Sequence, residues 1–321
     1  MKKLALILVI LLAAAFALSL LAGRVWLPLD AIFSGDPLAR LIITDIRIPR
    51  GVLALLVGAS LGLSGAVLQG LTRNPLAEPS LLGVSTGAAL GAVVAIYFGV
   101  TSLTIFGGPL LGMAGALAAA ALTFGLGRGG GTIALVLAGA AVSSLTAAGI
   151  ALALNFAPNP YAAYEIMNWL LGSLADKSWT QVYLVLPFIV IGLALLASTG
   201  GALDALTLGE TSAQSLGVNL ARLRVMAILG TALAVGAATS VTGAIGFIGL
   251  VAPHLVRPFV GHLPSRILLP ASLSGALLLL LADSAARLIH LGPELKLGVF
   301  TALVGTPFFF WLVVRLKRTS P

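Results

Sequence analysis

The chain has 321 residues, 59% of them hydrophobic and 9% charged, with a formal net charge of +8 and a mean hydropathy of +1.12. A charged fraction so far below the roughly 25% typical of soluble domains excludes a water-soluble globule and implies an integral membrane protein. Cysteine is absent, which excludes a disulfide framework, a thiolate metal site and a lipoprotein cysteine.

Lys2 and Lys3 precede an apolar run over 4–22. The charge pattern fits a signal peptide, but the run approaches the ~20 residues that span a bilayer, so it reads as a retained first span. Further runs of spanning length cover 51–70, 81–98, 109–126, 132–156, 179–198, 225–243, 268–289 and 297–314. A tenth candidate, 244–260, is interrupted by Pro253, His254, Arg257 and Pro258, and proline removes helix hydrogen bonds. Basic residues at both ends, Lys2 and Lys3 against Arg315, Lys317 and Arg318, put both termini in the cytoplasm and require an even number of spans. Ten spans satisfy this, and the inner side then carries an excess of eight positive charges while the outer side is neutral. The fold class is thus an all-α integral membrane protein of about ten transmembrane helices in one domain, residues 1–321. The basic balance reports topology and gives no reason to expect nucleic-acid binding.

The segment Val57-Gly-Ala-Ser-Leu-Gly-Leu-Ser-Gly-Ala66 is echoed by Val235-Gly-Ala-Ala-Thr-Ser-Val-Thr-Gly-Ala244. The two lie five spans apart and so run in opposite directions through the membrane, the mark of an inverted-topology repeat. Gly58 with Gly62, and Gly83 with Gly87 and Gly91, form small-residue stripes suited to close helix contact.

Between the sixth and seventh spans lies the longest polar island, Thr207 to Asn219, within a cytoplasmic segment 204–222. Gly209 and Gly217 punctuate it, and residues 211–216 between them suffice for about one and a half helical turns. A short helix projecting from a membrane body suits contact with another protein. The Gly-rich run 127–132 lacks the Gly-Lys-Ser/Thr ending of a phosphate loop, so any ATP use belongs to a separate chain, and the run reads as a flexible turn. His254, His262 and His290 are scattered, with no second ligand at metal spacing; neither a metal site nor a membrane enzyme is expected, and His254 reads as a packing residue. Asp283 is the one acid inside a span, and Arg287 four residues on reads as its ion-pair partner. At the mouth of the second span, Arg47-Ile-Pro-Arg50 places two guanidinium groups toward water, where they suit carboxylate pairing or interfacial anchoring. Tyr161, Tyr164, Met167 and Trp169 either line the outer mouth or pack there.

Several motifs, read in order, carry a resemblance. They are Arg47-Ile-Pro-Arg50, Ser64-Gly-Ala-Val-Leu-Gln69, Asn74-Pro-Leu-Ala-Glu-Pro79, Leu82-Gly-Val-Ser-Thr-Gly87 and Leu208-Gly-Glu-Thr211. Further on come Gly243-Ala-Ile-Gly-Phe-Ile-Gly-Leu250, Pro253-His254, Ala282-Asp283, Arg287 and Gly305-Thr-Pro-Phe308. Over nearly its whole length the chain resembles the membrane permeases of ABC importers for ferric siderophores, haem and cobalamin. The resemblance implies type II importer architecture: a non-catalytic ten-span subunit of the bacterial inner membrane, without a cofactor, that forms a homodimer around a translocation path. Two ATPase subunits would bind inside and a substrate-binding protein outside. It further implies that Thr207, Leu208, Gly209, Glu210, Thr211, Ser212, Gln214, Leu216 and Gly217 couple to the ATPase, with Glu210, Ser212 and Gln214 candidates for direct contact. Arg47, Arg50 and Arg287 would meet carboxylates of the binding protein, Arg287 being shared with Asp283. An iron chelate is the default cargo, with cobalamin the alternative; an ion-gradient-driven transporter is the rival from another class.

Overall fold

The computed structural model describes residues 2–23, 36–289 and 294–319, except for the side chains of 313 and 315–319. Arg24, Asp30 and His290, and the side chains of Arg315, Lys317 and Arg318, lie outside what it describes. Ten apolar helices account for all ten expected spans: α1 Lys2–Leu21, α2 Pro37–Thr72, α3 Val84–Tyr97, α4 Gly107–Gly127 and α5 Gly131–Asn155, then α6 Trp179–Ala197, α7 Leu220–Thr242, α8 Ile248–Val260, α9 Pro264–Leu288 and α10 Leu297–Thr319. Seven are long and apolar enough to cross a membrane by length and composition, while α3, α8 and the apolar part of α10 are shorter. Short helices fill the connections, among them Pro160–Leu170, Gly200–Leu206 and Glu210–Ser215.

The expected break at 244–260 is shorter than proline content suggests. The chain is unwound only from Gly243 to Phe247, and α8 then runs through both Pro253 and Pro258. Proline at 253 leaves the Gly249 carbonyl without its helical donor. The Gln69 amide nitrogen of α2 lies 3.5 Å from that oxygen and 3.4 Å from the Leu250 carbonyl, so a side chain from another span replaces the missing backbone donor.

Packing follows the internal echo. α2 meets α9 as α7 meets α4, α3 meets α4 as α8 meets α9, and α2 meets α8 as α7 meets α3. The repeated residues make the equivalent contacts themselves. A Cβ on Gly58 or Gly62 would collide with the backbone of α9 at Gly275 and Ala271, while Gly236 faces Ala116 of α4 and Ser240 faces Gly112. α2 and α7 are the most buried spans. Gly87 and Gly91 lie against the α4 backbone at Gly115 and Leu111, as their spacing predicts. In lipid no hydrophobic force draws helices together, so this backbone-to-backbone approach supplies the dispersion contact that does.

The tightest approach is at Gly65, where a Cβ would sit 1.9 Å from the Gly249 carbonyl oxygen. Gly65→Ala should therefore destabilise the α2–α8 contact by about 1–3 kcal/mol, the usual cost of overpacking. Gly201→Ala, with nothing within 4 Å of the added methyl, should be neutral or slightly stabilising; thermal unfolding in detergent compares the two.

Candidate functional site

The polar island folds as expected, within a residue at each end. Its helix spans Glu210–Ser215, entered through Gly209 at φ 101° and left through Gly217 at φ 85°, conformations that favour glycine. Ala213 alone is fully buried. Thr207, Leu208, Thr211, Ser212, Gln214, Leu216 and Gly217 are exposed, the two leucines by about two thirds of their surface. Two large apolar side chains on a projecting polar element form a face suited to a partner.

Glu210 points inward. Its Oε1 accepts from the Thr132 hydroxyl at 2.7 Å and from Arg224 Nη2 at 3.0 Å. Thr132 stands in the first turn of α5 and Arg224 near the start of α7, so one carboxylate ties the short helix to the bases of two spans. The Thr132 hydrogen bond and then the Arg224 charge hold its pKa below the ordinary carboxylate value. α5 meets this tie beside a glycine turn, where Gly129 and Gly131 have φ of 88° and 74° and a Cβ on Gly129 would touch nothing. The expected turn is present, and α5 leaves from it.

The arginine cluster departs from its expected setting. Arg47, Arg50 and Arg287 are 7%, 9% and 6% exposed, which corrects the reading of two guanidinium groups facing water. Arg47 closes a π-helical turn, Ile42–Arg47, inside α2. Its Nη1 donates to the Leu20 and Leu21 carbonyls at 2.7 and 2.8 Å, while Arg287 Nη1 donates to those of Ser19 and Ala22, both at 3.1 Å. Two arginines therefore cap the open carbonyls and negative dipole end of α1. Arg50 grips Asp283 with Nε and Nη2 at 2.8–3.1 Å, and Nη2 also bonds Glu294. The expected Arg287–Asp283 pair is present at 3.1 Å. Asp283 has no exposure, whereas the Glu294 side chain keeps 28% of its surface.

Sequence reasoning missed the tie of Glu210 to Thr132 and the role of Gln69, which also accepts from Arg257 Nη2 at 2.7 Å. Pro253 carries the only signal for the latter, since it implies an orphaned carbonyl four residues earlier. His254 meets Phe308 and Trp311 edge-on, as a packing residue does. Tyr161, Tyr164 and Met167 on helix Pro160–Leu170 are well exposed, while Trp169 packs inward.

Two outcomes follow from this geometry. Asp283→Ala leaves two buried guanidinium groups without their shared anion and should cost about 3–5 kcal/mol in thermal unfolding, far more than Glu294→Ala at the half-exposed partner. Glu210 holds a depressed folded pKa, so its contribution is complete above the ordinary value near ~4.3 and is lost as pH falls through the lower folded value. Protection of the amides of residues 210–216, taken relative to the intrinsic exchange rate at each pH, should accordingly fall on acidification in the native chain, and be low already at neutral pH with no further fall in Glu210→Gln.

The FecCD transport family matches residues 10–315. The ABC transporter permease protein YvrB of Bacillus subtilis (strain 168) is 39% identical, covering 96% of this chain and 92% of its own. The vitamin B12 import system permease protein BtuC of Salmonella typhi is 40% identical, covering 96% and 94%. Among solved structures, a metal-chelate type ABC transporter in an inward-facing conformation superposes with a TM-score of 0.86 at 32% identity, covering 98% of this chain and 99% of that one. A structure of PsaBC from Streptococcus pneumoniae in complex with Fab shares the fold at a TM-score of 0.56 and 15% identity, over 88% and 93%. An exposed polar helix tied to two spans, set in a paired-repeat bundle of ten apolar helices, is thus the framework of a transport permease, and the chain belongs to the FecCD transport family as the membrane permease of an ABC importer.

Proposed function

We propose that two copies of this chain enclose a translocation path for a metal chelate, with ATPase subunits docking on residues 207–217 and a substrate-binding protein docking at the opposite end. The observation that carries this reading is the division of labour within the short helix: Ala213 and Glu210 face the membrane body, while Leu208, Thr211, Ser212, Gln214 and Leu216 face away from it. Movement of the docked helix reaches α5 through Thr132 and α7 through Arg224. Rigid spans then transmit it as alternating access. The exposed side of α5 mixes small residues, among them Ala140, Ser144 and Ala151, with the large apolar Ile133, Leu137, Leu145 and Leu152, an uncharged surface that suits a path better than a tight polar site. Both chain ends are cytoplasmic in this reading, by the positive-inside argument.

At the other end, Arg50 is held by Asp283 from within and by Glu294 from the more open side. A carboxylate of the binding protein replaces Glu294 on Arg50, with Arg47 and Arg287 holding α1 in place beside it. The cargo is a chelate that arrives already assembled. The similarity to vitamin B12 import permeases favours a corrinoid over a ferric siderophore or haem as the first compound to assay.

The test is purification of the chain from native membranes in mild detergent, compared with a Ser212→Arg, Gln214→Arg double variant. An ATPase subunit should accompany the native chain and be lost from the variant, and the native complex in vesicles should accumulate cyanocobalamin only with ATP inside. A folded native chain that brings down no ATPase overturns the docking role of residues 207–217.

A further inference from the structure

Between the C-terminal end of α2, the start of α9 and Thr207 lies a cavity of about 340 Å³, of whose lining the transport reading uses Thr207 alone. Its polar wall consists of Gln69, Arg73, Thr207, Arg257 and His262; the remaining lining is apolar or glycine, and no carboxylate contributes. None of the salt bridges among the described residues involves Arg73, Arg257 or His262. The neighbouring carboxylate, Asp204, is engaged elsewhere: it accepts from the Ser265 N–H at 2.8 Å and from the Ser265 hydroxyl at 2.5 Å.

Each arginine is held toward this space for its own reason. Gln69 is 4% exposed, and its amide group lies between the α8 carbonyls and Arg257, so Oε1 orients one guanidinium nitrogen and leaves the other donors to the cavity. Arg73 caps α2 in the left-handed region at φ 50°, a position where glycine is the ordinary occupant. An arginine kept there accepts backbone strain while presenting a second guanidinium at the cavity rim. His262 adds an imidazole. Two guanidinium groups and an imidazole line one cavity to which no carboxylate contributes.

We propose that this cavity binds a phosphate group. The guanidinium fork matches phosphate oxygens in pairs, and basic pockets between helices at a membrane face take anionic headgroups. A cavity of about 340 Å³ has room for a phosphate with its ester carbons. Two sources share this chemistry, an anionic phospholipid and free phosphate. Thr207 opens the segment proposed to dock the ATPase, so an occupied cavity stiffens that segment at its root.

The site is testable on the full chain, delipidated in detergent, with phosphatidylglycerol, phosphatidylcholine and inorganic phosphate as probes. Native mass spectrometry should show one phosphatidylglycerol retained about tenfold more tightly than phosphatidylcholine, or calorimetry should show saturable phosphate binding. Arg73→Gln, at an exposed rim position, should weaken whichever binds by about tenfold while phosphatidylcholine is unaffected, and Arg257→Gln should do the same where it folds. Lipid that phosphate cannot displace identifies the membrane as the source; phosphate binding without a lipid preference identifies the solute. Equal retention of the two lipids together with no saturable phosphate binding overturns the proposal, as does unchanged binding in Arg73→Gln. Loss of ATPase co-purification in Arg73→Gln with no phosphate binding at all also overturns it, and assigns these arginines to ATPase docking instead. Because the binding is read on the chain alone, its failure leaves the importer reading to its own co-purification test.

Discussion

A polar group carried into an apolar medium must find its partner within the protein, and this constraint shapes each functional feature of the chain. At one end, two arginines close the carbonyls of α1 and a third shares Asp283 and Glu294. In the middle, Gln69 supplies the donor that Pro253 removes, and thereby allows a short helix with two prolines to stand inside the bundle. At the base of α5 and α7, Glu210 gathers a hydroxyl and a guanidinium. These groups are few because each unsatisfied one costs several kcal/mol in hydrocarbon. They join elements that are distant in sequence, so they are also the joints of the fold.

Glycine packing and polar joints divide the mechanical work. The contacts of α2 with α8 and α9 bring backbone against backbone, leaving no room for a methyl group at Gly58, Gly62 or Gly65. Such surfaces shift as blocks. The Glu210 joint differs, because it rests on two hydrogen bonds beside a glycine turn at Gly129 and Gly131. A closely packed core with an edge tethered by a few specific hydrogen bonds suits the proposed transmission of a small movement from the short helix to whole spans.

Much of this was legible in the sequence. Apolar run lengths gave nine of the ten helices, charge parity retained the doubtful tenth, and the paired glycines gave the short helix to within a residue at each end. The Asp283–Arg287 pair was readable from i,i+4 spacing. What stayed hidden depends on residues far apart in the chain. Arg50 lies 233 residues from Asp283, and Thr132 lies 78 from Glu210, so no local pattern joins them. For Arg47 local reasoning pointed the wrong way: a polar flank beside an apolar run ordinarily faces water, but the end of α1 offered carbonyls that bind a guanidinium more firmly.

The inverted repeat shows where sequence similarity survives and why. The echo is clearest along α2 and α7, where glycine or a small residue is required wherever the two helices meet α9 and α4. It fades at the breaks that follow them. The short helices α3 and α8 both begin from a left-handed residue, Gly83 at φ 72° in one half and Phe247 at φ 67° in the other. Phenylalanine pays a steric penalty there that glycine does not, of about 1–2 kcal/mol. Its side chain fills the space beside Gly305 of α10, where a Cβ would come within 2.4 Å of it. Contact with α10 thus holds the strained start of α8 in place, which glycine at the α3 start cannot reproduce. The two halves keep one packing geometry and differ where a half-helix begins, at Gly83 in one and at Phe247 in the other.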